Sequence, residues 1–395
     1  MNILFVSHCD FSGNSAMQIF SIANTLADLG AESIVCVPED TSSVSTLGPP
    51  RFQMRSFEEA HHGVLFSNGK GPDFVHAWTP RELVRKLTAR LVHLHGCPYL
   101  VHLEDNEEVI LEVELGRTYA ELLKLPLDQL DALVPEYRSH PTRYKEFVAQ
   151  AAGMTALIDR LLEFKPPHMP HLVFWPGFDD TCLNLPGSDT DLRKKLGIGR
   201  DVTVLAYNGN IHKTNAAEVH SLFLAVQALR RCGRRIVLLK TGWNQVSPHW
   251  VQESIDSQAV IDLGFVPRSA GLWGVLASAD ILVQPGRSDR FNDYRFPSKL
   301  PEFFASGRPV LLPKSNVGLA VRDGVEAVVL ERGDAIDIAE KLELLMDNPA
   351  LAAQIGTAGK DFAVRRLSWP KNVAALHDFY AFLLGEPSAS RTVKS

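Results

Sequence analysis

Apolar runs that read as buried strands alternate along the chain with segments in which apolar residues recur at helical spacing. The run NILFVS, residues 2–7, precedes a glycine-bearing turn and a helical pattern over SAMQIFSIANTLADLG that ends at Gly30. The strand-like runs AESIVCVP, DFVHAW and PYLVHLED follow. This alternation predicts βαβ units, a mostly parallel sheet and helices on both of its faces.

The alternation breaks over about residues 106–165, where the sequence is charged and helical, and a linker-like stretch rich in proline, glycine and acidic residues comes next. The pattern restarts with VTVLAYNGN and continues through RIVLLKTG, AVIDLGFV, ILVQPG and RPVLLP. A chain of 395 residues also exceeds what one hydrophobic core usually supports. We therefore predict domains over 1–178 and 179–383, with the last helix able to pack back on the first domain, and a frayed tail over 384–395.

Composition narrows the class of protein. Hydrophobic residues make up 45% of the chain and charged residues 22%, which is typical of a globular protein. The five cysteines are odd in number and lack metal-type spacing, as expected in a reducing compartment. The N-terminus has no basic leader, and no stretch approaches the roughly 20 apolar residues that span a bilayer. We predict a cytoplasmic protein with at most peripheral membrane contact.

The charges are unevenly divided between the two predicted domains. Residues 1–178 carry 14 basic and 22 acidic side chains, whereas residues 179–395 carry 26 and 24. The acidic first half argues against nucleic acid as a partner and against docking on anionic lipid through a polybasic patch. The second half is the better environment for a small anionic ligand.

The stretch FNDYRFPSKLPEFFASGRPV, residues 291–310, predicts a helix with an unusually charged start. Ser298 is placed to cap the helix, Pro301 falls in its first turn, and Gly307 ends it before the strand-like run VLLP. These structural roles leave the charged residues at the helix start without an explanation.

Arg295, Lys299 and Glu302 crowd this helix start, and helix starts stabilise anions. Comparable small, polar turns follow other strands: HCDFSGNS follows the first, and NGNIHKTN follows the strand that restarts the pattern. In open α/β sheets ligands bind beyond the carboxyl ends of the strands. Such turns offer backbone N–H groups to a phosphate, so a phosphate-bearing ligand is predicted.

Several motifs of the second half, in their order, resemble the large retaining family of glycosyltransferases that use nucleotide sugars, the group 1 or family 4 type. They are WPGFD, NGNIHKTN, GFVPRSAGLWGVLASADILVQP, YRFPSKLPEFFASGRPVLLP and SWPKNVAALHDFY, and together they cover most of residues 175–383. The first half matches more loosely. The resemblance implies the GT-B fold: two Rossmann-like, doubly wound α/β domains that face each other across a cleft, with the acceptor on the first and the donor on the second.

The resemblance also implies roles for individual positions. Glu302 corresponds to the glutamate that holds the ribose hydroxyls, and Lys213 and Lys299 to cations that meet the diphosphate. Phe265 and Val266 match the segment whose backbone reads the base. The donor-binding residues implied are Gly13, Asn210, Phe265, Val266, Tyr294, Arg295, Ser298, Leu300 and Glu302. The residues implied in catalysis are Lys213, Lys299, Glu104 and His102.

Two positions depart from the family pattern. The family's first glutamate, eight residues before the second, is replaced here by Tyr294. The family histidine on the strand that reads VHLED aligns with Glu104, while His102 lies two residues earlier on the same face of the strand. Either residue could reach the transferred sugar, so both stay open.

Structural alternatives accompany these assignments. Glu302 could simply be a favourable acid at a helix start. His102 could be a buried histidine with its hydrogen bonds satisfied, and His76 could be structural or line the cleft. The tryptophans Trp243, Trp250 and Trp273 are expected in the core or at its rim.

The function implied is transfer of a sugar from a nucleotide-diphosphate sugar to a hydroxyl of a glycan, lipid-linked saccharide or small molecule, with retention of configuration. Positive groups would stabilise the charge that develops on the leaving phosphate. No protein nucleophile is required, and no metal or other cofactor is predicted, since the second half has no acidic Asp-x-Asp motif. The alternatives are a nucleotide-sugar-binding scaffold that has lost catalysis and a sugar-nucleotide epimerase. The donor base, the sugar and the acceptor are not readable from the sequence.

Overall fold

The computed structural model of the chain contains two compact α/β units. One unit comprises Met1–Pro176 with Tyr294–Phe296 and the described residues from Trp369 onward, and the other comprises Gly177–Asp293 and Pro297–Ser368. The structure describes residues 1–187, 190–246, 248–267 and 271–385. Most of the predicted frayed tail therefore lies outside the described residues.

The first unit contains a seven-stranded parallel sheet with the strand order β3-β2-β1-β4-β5-β6-β7. Its strands are β1 (Asn2–Ser7), β2 (Glu32–Val37), β3 (Gln53–Ser56), β4 (Phe74–Trp78), β5 (Tyr99–Leu103), β6 (Gly153–Ala156) and β7 (His171–Val173). The central strands are buried along their whole length because helices cover both faces, which explains their continuous apolar sequences. The short outer strands β3 and β7 are half-buried, and the sequence pattern did not predict them.

The helices of the first unit are α1 (Asn14–Asp28), α2 (Phe57–Ala60), α3 (Glu82–His95), α4 (Glu107–Leu115), α5 (Tyr119–Leu122), α6 (Leu127–Leu133), α7 (Arg143–Ala149) and the terminal α16 (Trp369–Leu383). Helix α1 ends as predicted, with Gly30 at a φ of +76° just beyond it. The segment over 106–165 forms the short helices α4 to α7. Helix α16 packs on α1, and its Tyr380 is fully buried in the core of this unit.

The second unit contains a six-stranded parallel sheet with the strand order β10-β9-β8-β11-β12-β13. Its strands are β8 (Thr203–Asn208), β9 (Ile236–Thr241), β10 (Val260–Asp262), β11 (Ile281–Val283), β12 (Val310–Pro313) and β13 (Val328–Leu330). Its helices are α8 (Asp191–Lys195), α9 (Ala216–Arg231), α10 (His249–Asp256), α11 (Trp273–Ser278), α12 (Leu300–Ala305), α13 (Val317–Ala320), α14 (Ala335–Asp347) and α15 (Pro349–Arg366). The two parallel α/β sheets confirm the predicted fold class.

Each sheet has one place where the strand order reverses. In the first sheet β1 lies between β2 and β4, and in the second β8 lies between β9 and β11. Loops leaving the carboxyl ends of such a strand pair diverge and leave a crevice, where open α/β proteins bind ligands. We call the carboxyl ends of β1 and β4 the first switch point, and those of β8 and β11 the second switch point. None of the helices among the described residues combines the length and apolarity needed to cross a membrane.

Candidate active site

The second switch point holds the ammonium group of Lys299. Its Nζ donates a hydrogen bond of 2.9 Å to Oε1 of Gln284, directly after β11, and lies 4.8 Å from the centre of the Tyr207 ring on β8. A Cβ atom placed on Gly209 would lie only 2.8 Å from this Nζ, so the missing side chain makes room for the ammonium. The fold therefore fixes one positive charge where a ligand is expected.

The turn after β8 is fixed by its own hydrogen bonds. The carbonyl of Asn210 accepts from the hydroxyl of Tyr207 at 3.1 Å and from Nδ2 of Asn215 at 2.9 Å. The N–H of His212 donates to Oδ1 of Asn215 at 2.8 Å. Lys213 follows in the same turn and is exposed. A rigid turn thus carries a second lysine at this edge of the sheet.

Helix α12 differs in detail from the helix that the sequence predicted. Its N-cap residue is Lys299, which makes no side-chain capping bond, and Ser298 is exposed outside the helix, so the predicted cap at Ser298 is wrong. The N–H of Leu300, a predicted donor-binding residue, already donates to the carbonyl of Pro297 at 3.0 Å. Because α12 has only six residues, the positive potential here comes mainly from Lys299.

Other features of this segment agree with the sequence. Pro301 lies in the first turn of α12, and Gly307 follows the helix with a φ of +73°. Glu302 is buried in the same first turn. A buried carboxylate in this first turn is compatible with the predicted ribose contact and also with the structural alternative of a favourable acid at a helix start.

Two exposed aromatic rings lie at the carboxyl ends of β9 and β10. Phe265 stacks on Trp243 with ring centroids 5.4 Å apart and an angle of 5° between the planes. We call these two side chains the aromatic pair. Val266, next to Phe265, is half-buried. The sequence analysis placed Trp243 in the core or at its rim, and the structure places it at the surface.

Tyr294 and Arg295 group with the first unit rather than with the rest of the motif. The hydroxyl of Tyr294 donates to Oε1 of Glu163 at 2.5 Å, and the Arg160 guanidinium lies 5.1 Å from the ring centre. Partial burial and the bond to Glu163 raise the pKa of Tyr294. The Glu163 carboxylate is thus hydrogen-bonded to Tyr294, the residue at the position of the family's first glutamate.

In the first unit, Glu104 follows β5 and is buried. Its Oε1 accepts from Nε1 of Trp78 at 2.7 Å, and its Oε2 accepts from the hydroxyl of Ser15 in the first turn of α1. Burial raises the pKa of Glu104 to about 7 from an ordinary value of 4.5. With both oxygens engaged, Glu104 ties the start of α1 to the ends of β4 and β5, so it acts first as an anchor.

Gly13 lies directly before α1, close to this anchor. Its φ of −92° is one that any residue could adopt, but a Cβ atom there would collide with the sulfur of Cys9. The glycine is therefore required by the close approach of the Cys9 loop, whether or not a ligand binds there.

His102 is enclosed in the first sheet. Its Nδ1 pairs with the hydroxyl of Thr155 at 2.7 Å, its ring stacks on Trp78 at a centroid distance of 3.8 Å, and burial lowers its pKa well below the ordinary value. Its Nε2 has no hydrogen-bond partner among the described residues. The enclosed position agrees with the core-histidine alternative, but only one of the two ring nitrogens is hydrogen-bonded among the described residues. His76 is equally buried, between Tyr380 and Thr155, so of its two alternatives the structural one holds.

The first switch point holds a charged cluster that the sequence analysis missed. His8 follows β1, and burial together with Arg81 and Arg138 lowers its pKa well below the ordinary value. Arg81 is buried after β4 and pairs with Glu107 at 3.3 Å. Burial raises the pKa of Asp105, opposed mainly by the charge of Arg295. The sequences SHCD, at the end of β1, and TPRE, after β4, contain His8 and Arg81. Only the folded sheet shows that these two strands are neighbours.

Comparison with known proteins identifies a family model and relatives to which the chain is similar. The model for "Glycosyl transferases group 1" matches residues 202–348. Two curated relatives named D-inositol 3-phosphate glycosyltransferase are similar to the chain. That of Thermobifida fusca is 25% identical over 92% of this chain and 87% of its own length. That of Saccharomonospora viridis is 29% identical over 62% of this chain, and the match spans only 59% of the relative's length.

Solved structures show the same fold. Anabaena HepE, solved in complex with UDP and glucose, superimposes with a TM-score of 0.70 at 15% identity and covers 97% of this chain and 100% of its own. WaaG, a glycosyltransferase involved in lipopolysaccharide biosynthesis, superimposes with a TM-score of 0.62 at 15% identity, covering 95% of this chain and 99% of its own. The motifs and the family model agree over residues 202–348, where the chain is similar to group 1 glycosyltransferases, and the chain has the fold of these solved structures.

Proposed function

We propose that the protein transfers a sugar from a nucleotide-diphosphate sugar to an acceptor hydroxyl, with retention of configuration. The observation that carries the proposal is the fixed ammonium of Lys299 at the second switch point, beside the rigid turn that bears Lys213. The match to the group 1 family over this same unit supports the proposal.

Sugar transfer is favoured by positive charge near the departing phosphate. As the bond between the anomeric carbon and the β-phosphate oxygen breaks, the phosphate gains negative charge, and Lys299 and Lys213 would stabilise it. The acceptor oxygen forms the new bond on the face that the phosphate leaves. The proton of the acceptor hydroxyl passes to a phosphate oxygen, so no protein nucleophile and no metal is assigned a role.

We propose a uridine diphosphate sugar as the donor. HepE, which shares the fold, was solved with UDP and glucose. The nucleoside would lie at the second unit, with its ribose at Glu302 and its diphosphate at Lys299. Gly13 and Tyr294 belong to the first unit, and we retain both as proposed donor-binding residues.

We place the acceptor at the first switch point. Its charged cluster brings Arg81 and Arg138 close enough to His8 to depress the pKa of that imidazole. Nε of Arg138 and Nδ1 of His8 are buried without a hydrogen-bond partner among the described residues. These groups suit a hydroxyl-bearing acceptor that also carries a negative group. The relatives named for inositol 3-phosphate are consistent with such an acceptor.

The test is a donor and acceptor screen followed by product analysis. The purified protein is incubated with UDP-, GDP- and ADP-sugars and with a set of neutral and phosphorylated polyols. Nucleoside diphosphate release and the anomeric configuration of any product are followed by nuclear magnetic resonance. We expect a glycoside with the anomeric configuration of the donor. An epimerised donor without transfer, or donor binding without turnover, would contradict the proposal.

A further inference from the structure

The chain leaves the second unit for three residues shortly before α12. Tyr294–Phe296 group with the first unit, and the residues on either side of them belong to the second. In the first unit the hydroxyl of Tyr294 is bonded to Glu163, and the ring of Phe296 packs on that of Trp175 with centroids 5.8 Å apart. We call these three residues the excursion segment. The places where it leaves and re-enters the second unit determine how far it can move.

Asn292, two residues before the excursion segment, is buried and held from three sides. Its carbonyl accepts a hydrogen bond of 2.7 Å from Nδ2 of Asn316, and its own Nδ2 donates to Oε1 of Glu218 on α9. Its N–H donates to Oδ1 of Asp289 at 2.8 Å. We call Asn292, Asn316 and Glu218 the clamp. Because the loop after β11, the loop after β12 and helix α9 meet at one residue, the chain leaves the second unit from a fixed point.

The other end of the excursion segment has separate anchors. The carbonyl of Pro297 accepts from the N–H of Leu300, and Lys299 is bonded to Gln284. These bonds lie in the turn before α12 and at the end of β11, and they do not include a residue of the clamp. A change in the clamp should therefore alter where the excursion segment starts, while the ammonium of Lys299 stays in place.

Asn316 has a strained backbone. Its φ of +36° and ψ of −101° lie outside the regions that residues with a side chain favour. The hydroxyl of the preceding Ser315 is buried without a hydrogen-bond partner among the described residues. Both features lower stability, and backbone strain of this kind concentrates at functional positions. Glycine would adopt this backbone with less strain, but it has no side chain that could reach Asn292.

We propose that Asn316 and Glu218 are positioning residues for sugar transfer. By fixing Asn292 they set the point from which the excursion segment leaves the second unit, and so the position of Tyr294. This inference rests on the proposed function, in which Tyr294 binds the donor, and extends it to two residues that have no contact with the donor in that assignment. Because Lys299 has its own anchors, the clamp should affect the rate of transfer and leave the affinity for UDP unchanged.

The experiment uses variants that differ in the clamp bonds they keep. Asn316→Asp loses the N–H donor to Asn292 but keeps the oxygen that accepts from the N–H of Val317. Asn316→Gly loses the bond to Asn292 and relieves the backbone strain, so it should remain folded. Glu218→Ala removes the second clamp bond, whereas Glu218→Gln retains an oxygen that can accept it.

Asn348→Asp is the matched control, because it breaks a similar amide-to-carbonyl bond, to Leu344, at the surface of the same unit. Single-turnover transfer is measured on the full chain with UDP-glucose, or with the UDP-sugar that the screen selects, and the acceptor found with it. The dissociation constant of UDP is measured by titration calorimetry. Urea unfolding shows that each variant is folded.

Asn316→Asp, Asn316→Gly and Glu218→Ala should each lower the transfer rate about ten- to a hundred-fold, the scale expected when a group at the site is slightly displaced. Their affinity for UDP should not change, and Glu218→Gln and the control should keep the parent rate. Parent rates in the three folded variants would overturn the positioning role but leave the proposed function intact. Equal losses of transfer and UDP affinity would also overturn it, because the clamp would then support the whole donor site. A parent protein that neither binds UDP nor transfers a sugar would overturn the proposed function itself.

Discussion

The two sheets have the same parallel architecture, yet their switch points carry different chemistry. At the second, a fixed ammonium, an exposed lysine and two exposed aromatic rings stand where a ligand would lie. Beside the first, at the neighbouring strand β5, both oxygens of the buried Glu104 accept hydrogen bonds, and His102 is enclosed between Trp78 and Thr155.

This difference separates groups that meet a ligand from groups that hold a loop in place. Positive charge and aromatic surface at the second switch point suit a nucleotide, whose diphosphate and base are constant parts of a donor. The first switch point uses buried hydrogen bonds to fix the turn before α1, and its arginines supply the local positive charge. Substitutions should therefore affect different observables: nucleotide affinity and transfer at the second switch point, and stability at the anchoring residues Glu104 and Gly13 beside the first.

The largest effect is expected at Lys299. Lys299→Ala should lower the single-turnover rate of transfer by about a hundred- to a thousand-fold, because a preorganised charge at the leaving phosphate is lost. Lys213→Ala acts on the same developing charge and should lower the rate as well. Lys194→Ala, an exposed lysine of α8, is the control and should leave the rate unchanged. A folded Lys299→Ala protein with the parent rate would contradict the assignment.

Glu104 should make stability depend on pH. Its pKa is about 7 in the folded protein against 4.5 ordinarily, so the folded state holds the proton more tightly than the unfolded chain. The free energy of unfolding should therefore fall as pH rises from about 4.5 to 7, by about 3 kcal/mol from this group. Glu104→Gln should lack that fall. If urea unfolding gave the same pH dependence of the free energy of unfolding for parent and variant, the pKa of Glu104 would not be raised by burial.

Gly13→Ala should lower the free energy of unfolding by about 1–3 kcal/mol, because the new methyl group overpacks against Cys9. Removing the sulfur should relieve the collision, so adding Cys9→Ala to Gly13→Ala should recover part of the loss. Urea unfolding of the parent, both single variants and the double variant measures this coupling. Strictly additive effects would mean that the glycine is needed for another reason.

A smaller effect is expected at Tyr294. Tyr294→Phe removes the hydrogen bond to Glu163 and should lower the free energy of unfolding by about 1 kcal/mol. Tyr137→Phe is the control, because its hydroxyl bonds to Glu114 at the exposed surface and should be worth less than about 0.5 kcal/mol. Equal effects in thermal unfolding would show that the Tyr294 bond contributes no more than a surface contact.

The fold was predictable from the sequence wherever strands are buried on both faces. Strands such as β1 and β8 have continuous apolar sequences that differ in period from the helices between them. The outer strands β3 and β7 were missed because they are half-buried, and partial burial does not impose a continuous apolar sequence; the buried three-residue strand β13 was missed as well. Lys299 and Glu302 could be proposed from the sequence because one contiguous motif carries them.

Contacts that form only across neighbouring parallel strands were not found, although Phe265 itself was among the predicted donor-binding residues. Trp243 and Phe265 follow different strands, as do His8 and Arg81, and nothing in either local sequence indicates its partner. The predicted cap at Ser298 failed for another reason. The helix starts at Leu300, one residue later than a cap at Ser298 requires, because Pro297 and Leu300 form their own turn first. Helix boundaries depend on such single bonds.

The most direct test of the account compares UDP with uridine on the parent and on Lys299→Ala. Uridine has the base and ribose but no phosphate, so Lys299 should matter only for UDP. We expect Lys299→Ala to weaken UDP binding about ten-fold or more, because a charge-assisted contact is lost. The affinity for uridine should stay the same. If the folded variant bound UDP as tightly as the parent does, the second switch point would not hold the diphosphate, and the central assignment would be contradicted.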